Sequence, residues 1–254
     1  MKISGNTILI TGGATGIGFA LAKACLKAGN TVIICGRREN KLLEAQKQLP
    51  ELQIKVCDLT HLDARKSLFD WVTSNFKDLN ILVNNAGILR EIDFTKGSLD
   101  LSWENEIKTN FEAPVHLSAL FLPHLMKQKA SALINVSSGL AFIPLALSPV
   151  YCATKAALHS FSWSLRAQLA KTSVKVYEII PPIVDTELYQ EHREQRDRKD
   201  RGIKPEEVAR AVIQGIEQDE FEIAIGMAQN LRMGARTDPD KTFQAMNSGF
   251  HRQQ

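Results

Sequence analysis

Residues 7–18 read TILITGGATGIG, a β-branched run followed by four closely spaced glycines, and this stretch decides the fold. The run predicts a strand over Thr7–Thr11, and the apolar spacing from Gly16 to Ala28 predicts a helix. Glycines between a strand and a helix allow a tight turn, and the free N–H groups that begin the helix can face a phosphate. The sequence therefore predicts a nucleotide-phosphate loop, with a glycine-rich turn that binds nothing as the alternative.

Each glycine of this loop has a predicted use. Gly12 allows the turn out of the strand, Gly16 admits the ligand to the backbone, and Gly18 lets the helix pack closely on the sheet. The spacing differs from G-x-G-x-x-G, but the strand–turn–helix context is the one that the mechanism requires. Because no Lys-Ser or Lys-Thr pair follows the glycines, the loop is not typical of a triphosphate-binding P-loop.

Short apolar runs alternate with longer periodic segments through the rest of the chain. Further strands are predicted over Thr31–Cys35, Gln53–Cys57, Ile81–Val83, Ala132–Ser137, Val174–Ile180 and Phe221–Ile225. Helices are predicted over Glu39–Gln48, His61–Phe76, Leu101–Met126 in one or two pieces, Tyr151–Ala170, Pro205–Gln218 and Asp238–Met246. This alternation indicates parallel strands buried on both faces. We predict an α/β fold, a single Rossmann-type domain over residues 1–254 with about seven parallel strands and helices on both faces.

Composition excludes several classes of protein. With 44% apolar and 23% charged residues among 254, the chain is not largely disordered. The 31 basic and 28 acidic residues nearly balance, so the chain lacks the excess of positive charge that is typical of nucleic-acid-binding proteins. Four scattered cysteines predict no disulfide framework, the six histidines show no metal-ligand spacing, and no segment has the pattern of a signal peptide or a membrane span. We therefore expect a cytoplasmic protein without a metal.

Two segments allow more than one interpretation. Residues 185–204 are densely charged with both signs, so they form either a solvated helix face or a mobile flap over a site. Residues 140–145 are apolar, so they form either core packing or a wall of a substrate site.

The end of the second predicted strand indicates which dinucleotide is bound. Gly36 offers no carboxylate for the 2′-hydroxyl of NAD, whereas Arg37 and Arg38 offer guanidinium groups for the 2′-phosphate of NADP. Solvent-facing arginines are the alternative. Asp58, after the third strand, is either a contact to the adenine amine or an ordinary turn residue.

Polar residues gather at the carboxyl ends of the predicted strands. Tyr151 and Lys155 lie four residues apart and so share a helix face. A tyrosine titrates near pH ~10, and we expect the neighbouring ammonium to lower that pKa enough for acid–base catalysis. Ser137-Ser138 ends the fifth strand and Asn110 lies in the preceding helical segment, so all are expected at one edge of the sheet.

Taken together, these motifs resemble the short-chain dehydrogenase/reductase family over about residues 6–188. The matching motifs are Thr11-Gly12 through Gly16-Ile17-Gly18, Asn84-Asn85-Ala86-Gly87, Asn110, Ser138, Tyr151 with Lys155, and Pro181 through Thr186. Three stretches, residues 91–94, 113–121 and 151–157, also resemble the DltE-type oxidoreductases of bacteria. One departure is Pro181-Pro182, where the family commonly has Pro-Gly, so we expect a stiffer or differently shaped loop there.

The resemblance implies a role for each catalytic candidate. Tyr151 would protonate the substrate oxygen, and Lys155 would lower the pKa of Tyr151 and hold the nicotinamide ribose. Ser138 rather than Ser137 would hold the substrate carbonyl, because the family places this serine thirteen residues before the tyrosine. Asn110 would hold a water that connects Lys155 to solvent.

The resemblance also implies the cofactor contacts. Asn84 would brace the sheet beside the adenosine ribose, and Val184 and Thr186 would meet the nicotinamide carboxamide. The full predicted set is Gly12, Thr15, Gly16, Ile17, Gly18, Arg37, Arg38, Asp58, Leu59, Asn84, Ala86, Gly87, Tyr151, Lys155, Val184 and Thr186.

These implications lead to one functional prediction and one alternative. The prediction is an oxidoreductase that favours NADP(H) over NAD(H) and acts on a small carbonyl or alcohol substrate, with no nucleic-acid or membrane partner. The alternative is a catalytically silent NAD(P)-binding sensor or scaffold on the same fold. A homodimer or homotetramer is also expected, with apolar helix residues on outward faces, namely Leu117, Leu120, Phe121, Phe161 and Leu165.

Overall fold

The structure, a computed structural model, describes residues 1–97, 103–188 and 202–248. Seven parallel strands form one sheet in the order β3-β2-β1-β4-β5-β6-β7. The strands are β1 (Thr7–Thr11), β2 (Thr31–Gly36), β3 (Gln53–Val56), β4 (Leu79–Asn84), β5 (Ser131–Val136), β6 (Val174–Ile180) and β7 (Glu222–Ala224). The strand order reverses between β1 and β4, which is where a doubly wound sheet opens a crevice at its carboxyl edge. The predicted Rossmann-type fold is confirmed.

Helices cover both faces of the sheet. They are α1 (Gly16–Lys27), α2 (Glu39–Gln48), α3 (Leu62–Asn75), α4 (Trp103–Ile107), α5 (Ala113–Leu125), α6 (Pro149–Gln168), α7 (Pro205–Glu217), α8 (Met227–Thr237) and α9 (Pro239–Asn247). One core lies under α1, α2 and α7, and the other lies under α3, α5 and α6. Successive side chains of β1 pack alternately into the two cores, since Ile8 and Ile10 belong to the first and Leu9 to the second. This burial on both faces explains why the strands are continuous apolar runs and do not alternate between apolar and polar residues.

Most element boundaries lie within one or two residues of the prediction, and the larger differences are local. Strand β4 begins at Leu79, earlier than expected, because Leu79 pairs with Thr7 of β1 across a register shift, where the Asn80 side chain accepts from the Thr7 N–H. The segment before β5 contains a π-helical turn, Lys108–Glu112, between α4 and α5. Helix α8 was not predicted, because it is polar on average and Ala228 is its one fully buried residue.

The prediction about outward-facing apolar residues on α5 and α6 is wrong. Leu117, Phe121 and Leu165 are buried, and Leu120 and Phe161 pack against the same core. These residues face inward because α5 and α6 lie directly on the sheet. These residues therefore give no support to the expected homodimer or homotetramer, which stays a prediction. Within the described ranges, no helix combines the length and the apolar character that crossing a bilayer requires.

Candidate active site

A cleft of about 370 Å³ lies at the carboxyl edge of the sheet, where the strand order reverses. It runs from the glycine loop after β1 to the start of α6. The structure brings together most of the predicted site residues along this cleft, namely Gly12, Thr15, Gly16, Ile17, Gly18, Arg37, Arg38, Asp58, Leu59, Ala86, Gly87, Ser138, Tyr151, Lys155, Val184 and Thr186. Asn84 and Asn110 do not line it, because both are buried behind its walls.

The glycine loop packs so closely against its neighbours that no side chain would fit at Gly12 or Gly18. Gly12 has a φ of +63°, and a Cβ on Gly18 would lie 2.4 Å from the Gly12 carbonyl oxygen. Helix α1 therefore begins against the loop itself. Its first turn contains no acidic residue, and the Thr15 side chain does not cap its N–H groups. This helix terminus fits an anion, because uncapped N–H groups and the helix dipole both favour negative charge.

The glycine loop is fastened to the loop that follows β4. The Thr11 hydroxyl accepts hydrogen bonds from the backbone N–H groups of Asn85 and Ala86, both at 3.0 Å. The Asn85 amide donates to the carbonyl oxygens of Thr11 (2.9 Å) and Gly12 (3.2 Å). These bonds fix two walls of the cleft relative to each other. Sequence reasoning did not assign this role to Asn85, although the residue lies within the recognised Asn-Asn-Ala-Gly motif.

Asn84 lies inside the protein rather than at the cofactor wall. It ends β4 with its side chain buried, and its amide donates to the Asn135 side chain on β5 at 2.9 Å. The strand alternation turns this side chain away from the cleft, so the cofactor contact of Asn84 has no support from its side chain and stays a prediction. Its bond to Asn135 does brace the sheet, as expected.

Basic side chains gather at the β2 end of the cleft. Arg37, Arg38 and Lys41 all line it, and a carboxylate from the segment after β6 already lies among them. Arg38 pairs with Glu187 at 2.9 Å, and the Lys41 ammonium is 3.7 Å from the same carboxylate. Both partners of the Arg38–Glu187 pair are about half exposed, so this pair is worth little in stability and an anionic ligand can displace it.

Asp58 lines the same end of the cleft and also forms a local turn. Its Oδ1 accepts hydrogen bonds from the backbone N–H (3.0 Å) and the hydroxyl (2.8 Å) of Thr60. Burial raises the pKa of Asp58, but these bonds and the charges of His61 and Arg37 outweigh burial, so the net pKa lies below its usual value. Both interpretations of Asp58, adenine contact and turn residue, are compatible with this position.

Tyr151, Ser138 and Lys155 meet at the other end of the cleft. The Ser138 side chain hydrogen-bonds the Tyr151 phenol, and the Ser138 oxygen also accepts from the Leu140 backbone N–H at 3.1 Å. The Lys155 ammonium donates to the Val136 carbonyl oxygen at 2.8 Å and lies 5.6 Å from the centre of the Tyr151 ring. The 3₁₀ turn Gly139–Ala141 and the first turns of α6 position these groups.

The pKa of Tyr151 is shifted in the direction opposite to the prediction. Burial raises the pKa of Tyr151 well above its usual value, and the hydrogen bond from Ser138 opposes that change only in part. Burial also lowers the pKa of Lys155 to about 8. The expected lowering of the tyrosine pKa by its lysine neighbour is therefore not seen, because the loss of hydration of the buried phenol dominates. The phenol is protonated at neutral pH, which suits a proton donor.

Asn110 lies behind the cleft, in the π-helical turn. Its amide oxygen accepts from the Ile88 N–H (2.9 Å), and its amide nitrogen donates to the Ile88 carbonyl (2.8 Å) and to the Thr154 hydroxyl (3.2 Å). A Cβ on Gly87 would lie 3.5 Å from the Lys155 ammonium and 3.6 Å from the Asn110 oxygen, so the two groups border one small space. Isolated π-turns are frequent at functional sites.

The segment after β6 forms one side of the cleft. Val184 is buried and bridges to Ile203, and the Gly139 N–H donates to the Pro181 carbonyl at 3.1 Å. Thr186 faces the glycine loop, since a Cβ on Gly16 would lie 2.9 Å from its methyl group. The effect predicted for Pro182 on the shape of this loop stays a prediction. Of the predicted flap over residues 185–204, residues 189–201 lie outside the described part of the chain.

The wall beyond Tyr151 is apolar, and part of it was not predicted. Leu140 and Leu145 line the cleft, as one interpretation of residues 140–145 expected, while Ile143 belongs to the core. The unpredicted part comes from Ile183 after β6 and from α8 and α9, and consists of Ile183, Met227, Leu231 and Met246, whereas Leu188 belongs to the segment predicted as a possible flap. Asn247 on α9 ties this wall together by accepting from the Ala146 N–H (2.7 Å) and donating to the Pro144 carbonyl (3.1 Å). The spacing of Met227 and Leu231 on one helix face was an available signal.

Comparisons with known proteins agree with this geometry. Residues 6–197 match the short chain dehydrogenase family model. The chain is 52% identical over 249 residues to the uncharacterized oxidoreductase DltE of Bacillus subtilis, covering 98% of this chain and 99% of that one.

Solved structures give the same result. A short chain dehydrogenase from Burkholderia cenocepacia, in complex with NADP, superposes with a TM-score of 0.84 at 27% identity over 97% of this chain and 99% of that one. A short chain dehydrogenase/reductase from Burkholderia phymatum, in complex with NAD, has the same fold, with a TM-score of 0.81 at 21% identity over 88% and 89%.

Proposed function

The chain belongs to the short-chain dehydrogenase family, and from this premise we propose that it is an NADP(H)-dependent oxidoreductase acting on a carbonyl or alcohol carbon. The observation that supports this proposal is the meeting of a glycine-loop cleft with a buried Tyr151–Ser138–Lys155 cluster. When bound, the nicotinamide supplies the hydride to the carbonyl carbon in reduction and accepts it in oxidation.

The chain's own residues move the proton and hold the substrate. In reduction, Ser138 holds the carbonyl oxygen, and Tyr151 transfers its phenolic proton to that oxygen as the carbon gains the hydride. The product is an alcohol and the phenol becomes a phenolate. The Lys155 ammonium, whose pKa is about 8, is cationic at neutral pH and stabilises that phenolate. Asn110 borders the space beside Lys155 and would hold the water that resupplies the proton.

The preference for NADP rests on the basic end of the cleft. Arg37 and Arg38 line it, Gly36 offers no carboxylate, and Arg38 already holds the carboxylate of Glu187. A 2′-phosphate in this region would compete with Glu187 for the guanidinium groups, with more charge and more acceptor atoms.

Removal of Arg37 and Arg38 together is expected to abolish the preference for NADPH over NADH. Arg37→Ala with Arg38→Ala should weaken NADPH binding by about 10- to 100-fold, the equivalent of one or two hydrogen bonds to a charged group, and leave NADH binding nearly unchanged. Fluorescence titration of both dinucleotides measures this. The matched control, Arg210→Ala with Arg236→Ala, removes the same charge from exposed sites that do not line the cleft. Wild-type protein that binds NADH as tightly as NADPH would contradict the preference.

The substrate end of the cleft supports an apolar substrate. Among the residues that the structure describes, the side walls of this end are leucine, isoleucine and methionine. The charged residues that line the cleft lie at the cofactor end or in the catalytic cluster. We infer a carbonyl compound whose remaining groups are uncharged and apolar.

The experiment for this proposal is NADPH oxidation, followed by absorbance, with a panel of paired carbonyl compounds. Each apolar ketone or aldehyde is matched with a carboxylate-bearing analogue of similar length, and kcat/KM is expected to be at least about 10-fold higher for the apolar member. The reverse order would overturn the inferred substrate class. No oxidation across the panel, despite NADPH binding, would favour the alternative of a nucleotide-binding sensor.

Two further expectations remain proposals. The resemblance to the family supports a homodimer or homotetramer, and the sequence supports a cytoplasmic location.

A further inference from the structure

A fully buried carboxylate, Glu178 on β6, lies beside the catalytic cluster and has no part in the proposed reaction. The Ser137 hydroxyl donates to its Oε1 at 2.5 Å. The His159 Nδ1 lies 3.0 Å from Oε1 and 2.8 Å from Oε2. Burial of a carboxylate is costly unless hydrogen bonds and charges compensate it, so this arrangement requires an explanation.

The partners of Glu178 connect it to the cluster through the end of β5. Ser137 lies between Val136, whose carbonyl oxygen accepts from Lys155 at 2.8 Å, and Ser138, which bonds Tyr151. The hydrogen bond from Ser137 therefore fixes the short stretch that holds both catalytic side chains. On the opposite side, His159 follows Lys155 by four residues and shares its helix face.

The charge of Glu178 also acts on Lys155. Burial lowers the pKa of Lys155 to about 8, and the negative charge of Glu178 opposes that decrease. Both side chains are buried, and in a dry interior charges act on each other with little screening. Without Glu178, more of the Lys155 side chain would be neutral at physiological pH.

We propose that Glu178, oriented by His159, is a positioning residue for the reaction: it fixes the end of β5 through Ser137 and keeps Lys155 cationic. This inference rests on the proposed function for its consequence, but the state of Lys155 can be measured without any substrate.

Among the described residues, few titratable or polar side chains face this carboxylate. From α6 they are Lys155 and His159, and Ser137 faces it from β5. On β7, Glu222 lies in register beside Glu178 and pairs with Arg166 of α6 and Arg232 of α8. Tyr151, with Glu106 and Cys152 near its phenol, faces Lys155 from the cleft side. Because Glu222 has its own arginine partners, it serves as a control for Glu178.

The test is a pH titration of Lys155 by NMR in protein labelled with ¹³C at the lysine ε-carbon, with the signal assigned by its loss in Lys155→Met. Glu178→Gln keeps the shape and one acceptor oxygen, which can stay between Ser137 and His159, but it replaces the second oxygen by an NH2 donor and removes the charge. It is expected to move the Lys155 midpoint to lower pH by about half a pH unit or more. Glu178→Asp keeps the charge and is expected to stay closer to wild type than Glu178→Gln.

The control and the activity measurement separate the possible outcomes. Glu222→Gln is expected to leave the Lys155 midpoint unchanged. An unchanged midpoint in Glu178→Gln, or an equal change in Glu222→Gln, would overturn the inference. With an active carbonyl compound, the alkaline limb of kcat/KM should move to lower pH in Glu178→Gln by the same amount as the NMR midpoint. If the wild type reduces nothing, the proposed function fails, and the titration still decides the role of Glu178.

Discussion

Replacement of Tyr151 by phenylalanine is expected to lower kcat at least about 100-fold, and to leave NADPH affinity within a few-fold of wild type, because general acid catalysis contributes about 100- to 10,000-fold. The substitution removes the proton donor and its bond to Ser138 and leaves the buried ring in place. Stopped-flow NADPH oxidation, together with a fluorescence titration of NADPH, measures both quantities on the same preparation.

Tyr177→Phe is the matched control for this prediction. Tyr177 is equally buried, and its hydroxyl donates to Asp219 at 2.6 Å, but it does not line the cleft. Its replacement also removes one phenolic hydroxyl from the interior, so it should cost stability and leave kcat unchanged. Normal turnover by Tyr151→Phe would remove the proton donor from the proposed mechanism. Equal loss in the two variants would trace the effect to the fold instead.

Gly18→Ala is expected to lower both thermal stability and cofactor affinity. The added Cβ would lie 2.4 Å from the Gly12 carbonyl oxygen and 2.5 Å from the Asn85 amide nitrogen, so the glycine loop must move. Overpacking of this kind costs about 1–3 kcal/mol, which corresponds to a decrease in Tm of about 2–12 °C for a chain of this size. NADPH affinity should fall at least about 10-fold, because the loop and the start of α1 move together.

The control for this substitution is Gly36→Ala at the same cleft. A Cβ on Gly36 would meet its nearest neighbour, Leu42, at 4.0 Å, which is ordinary contact, so the Tm should stay within about 1 °C of wild type. Differential scanning fluorimetry with and without NADPH compares the two variants. A Gly18→Ala protein with wild-type Tm and affinity would show that close packing of the loop on α1 is not required.

In the proposed reaction, the two buried groups match the protonation state that carbonyl reduction needs at neutral pH. Burial keeps the Tyr151 phenol protonated and brings the pKa of Lys155 to about 8. At neutral pH the pair is therefore a proton donor beside a cation, the state that reduction of a carbonyl requires. Oxidation of an alcohol needs the deprotonated phenol, which the burial disfavours.

By itself, the sequence determined the fold and the glycine loop, and it named the candidates for the catalytic cluster. These features depend on local patterns: continuous apolar strands, a strand–turn–helix unit, and a tyrosine and a lysine four residues apart. Such patterns need no knowledge of which distant residue lies alongside, which is why strands and helices were predicted nearly to their ends.

Only the tertiary structure decided what depends on contacts between distant segments. Asn84 turns inward and Asn85 holds the glycine loop, a choice made by strand alternation and by the position of Thr11. The raised tyrosine pKa follows from burial depth, which no local pattern encodes. The apolar wall of the cleft from α8 and α9, and the Glu178–His159 pair, join residues far apart in the chain, so they exist only once the sheet has formed.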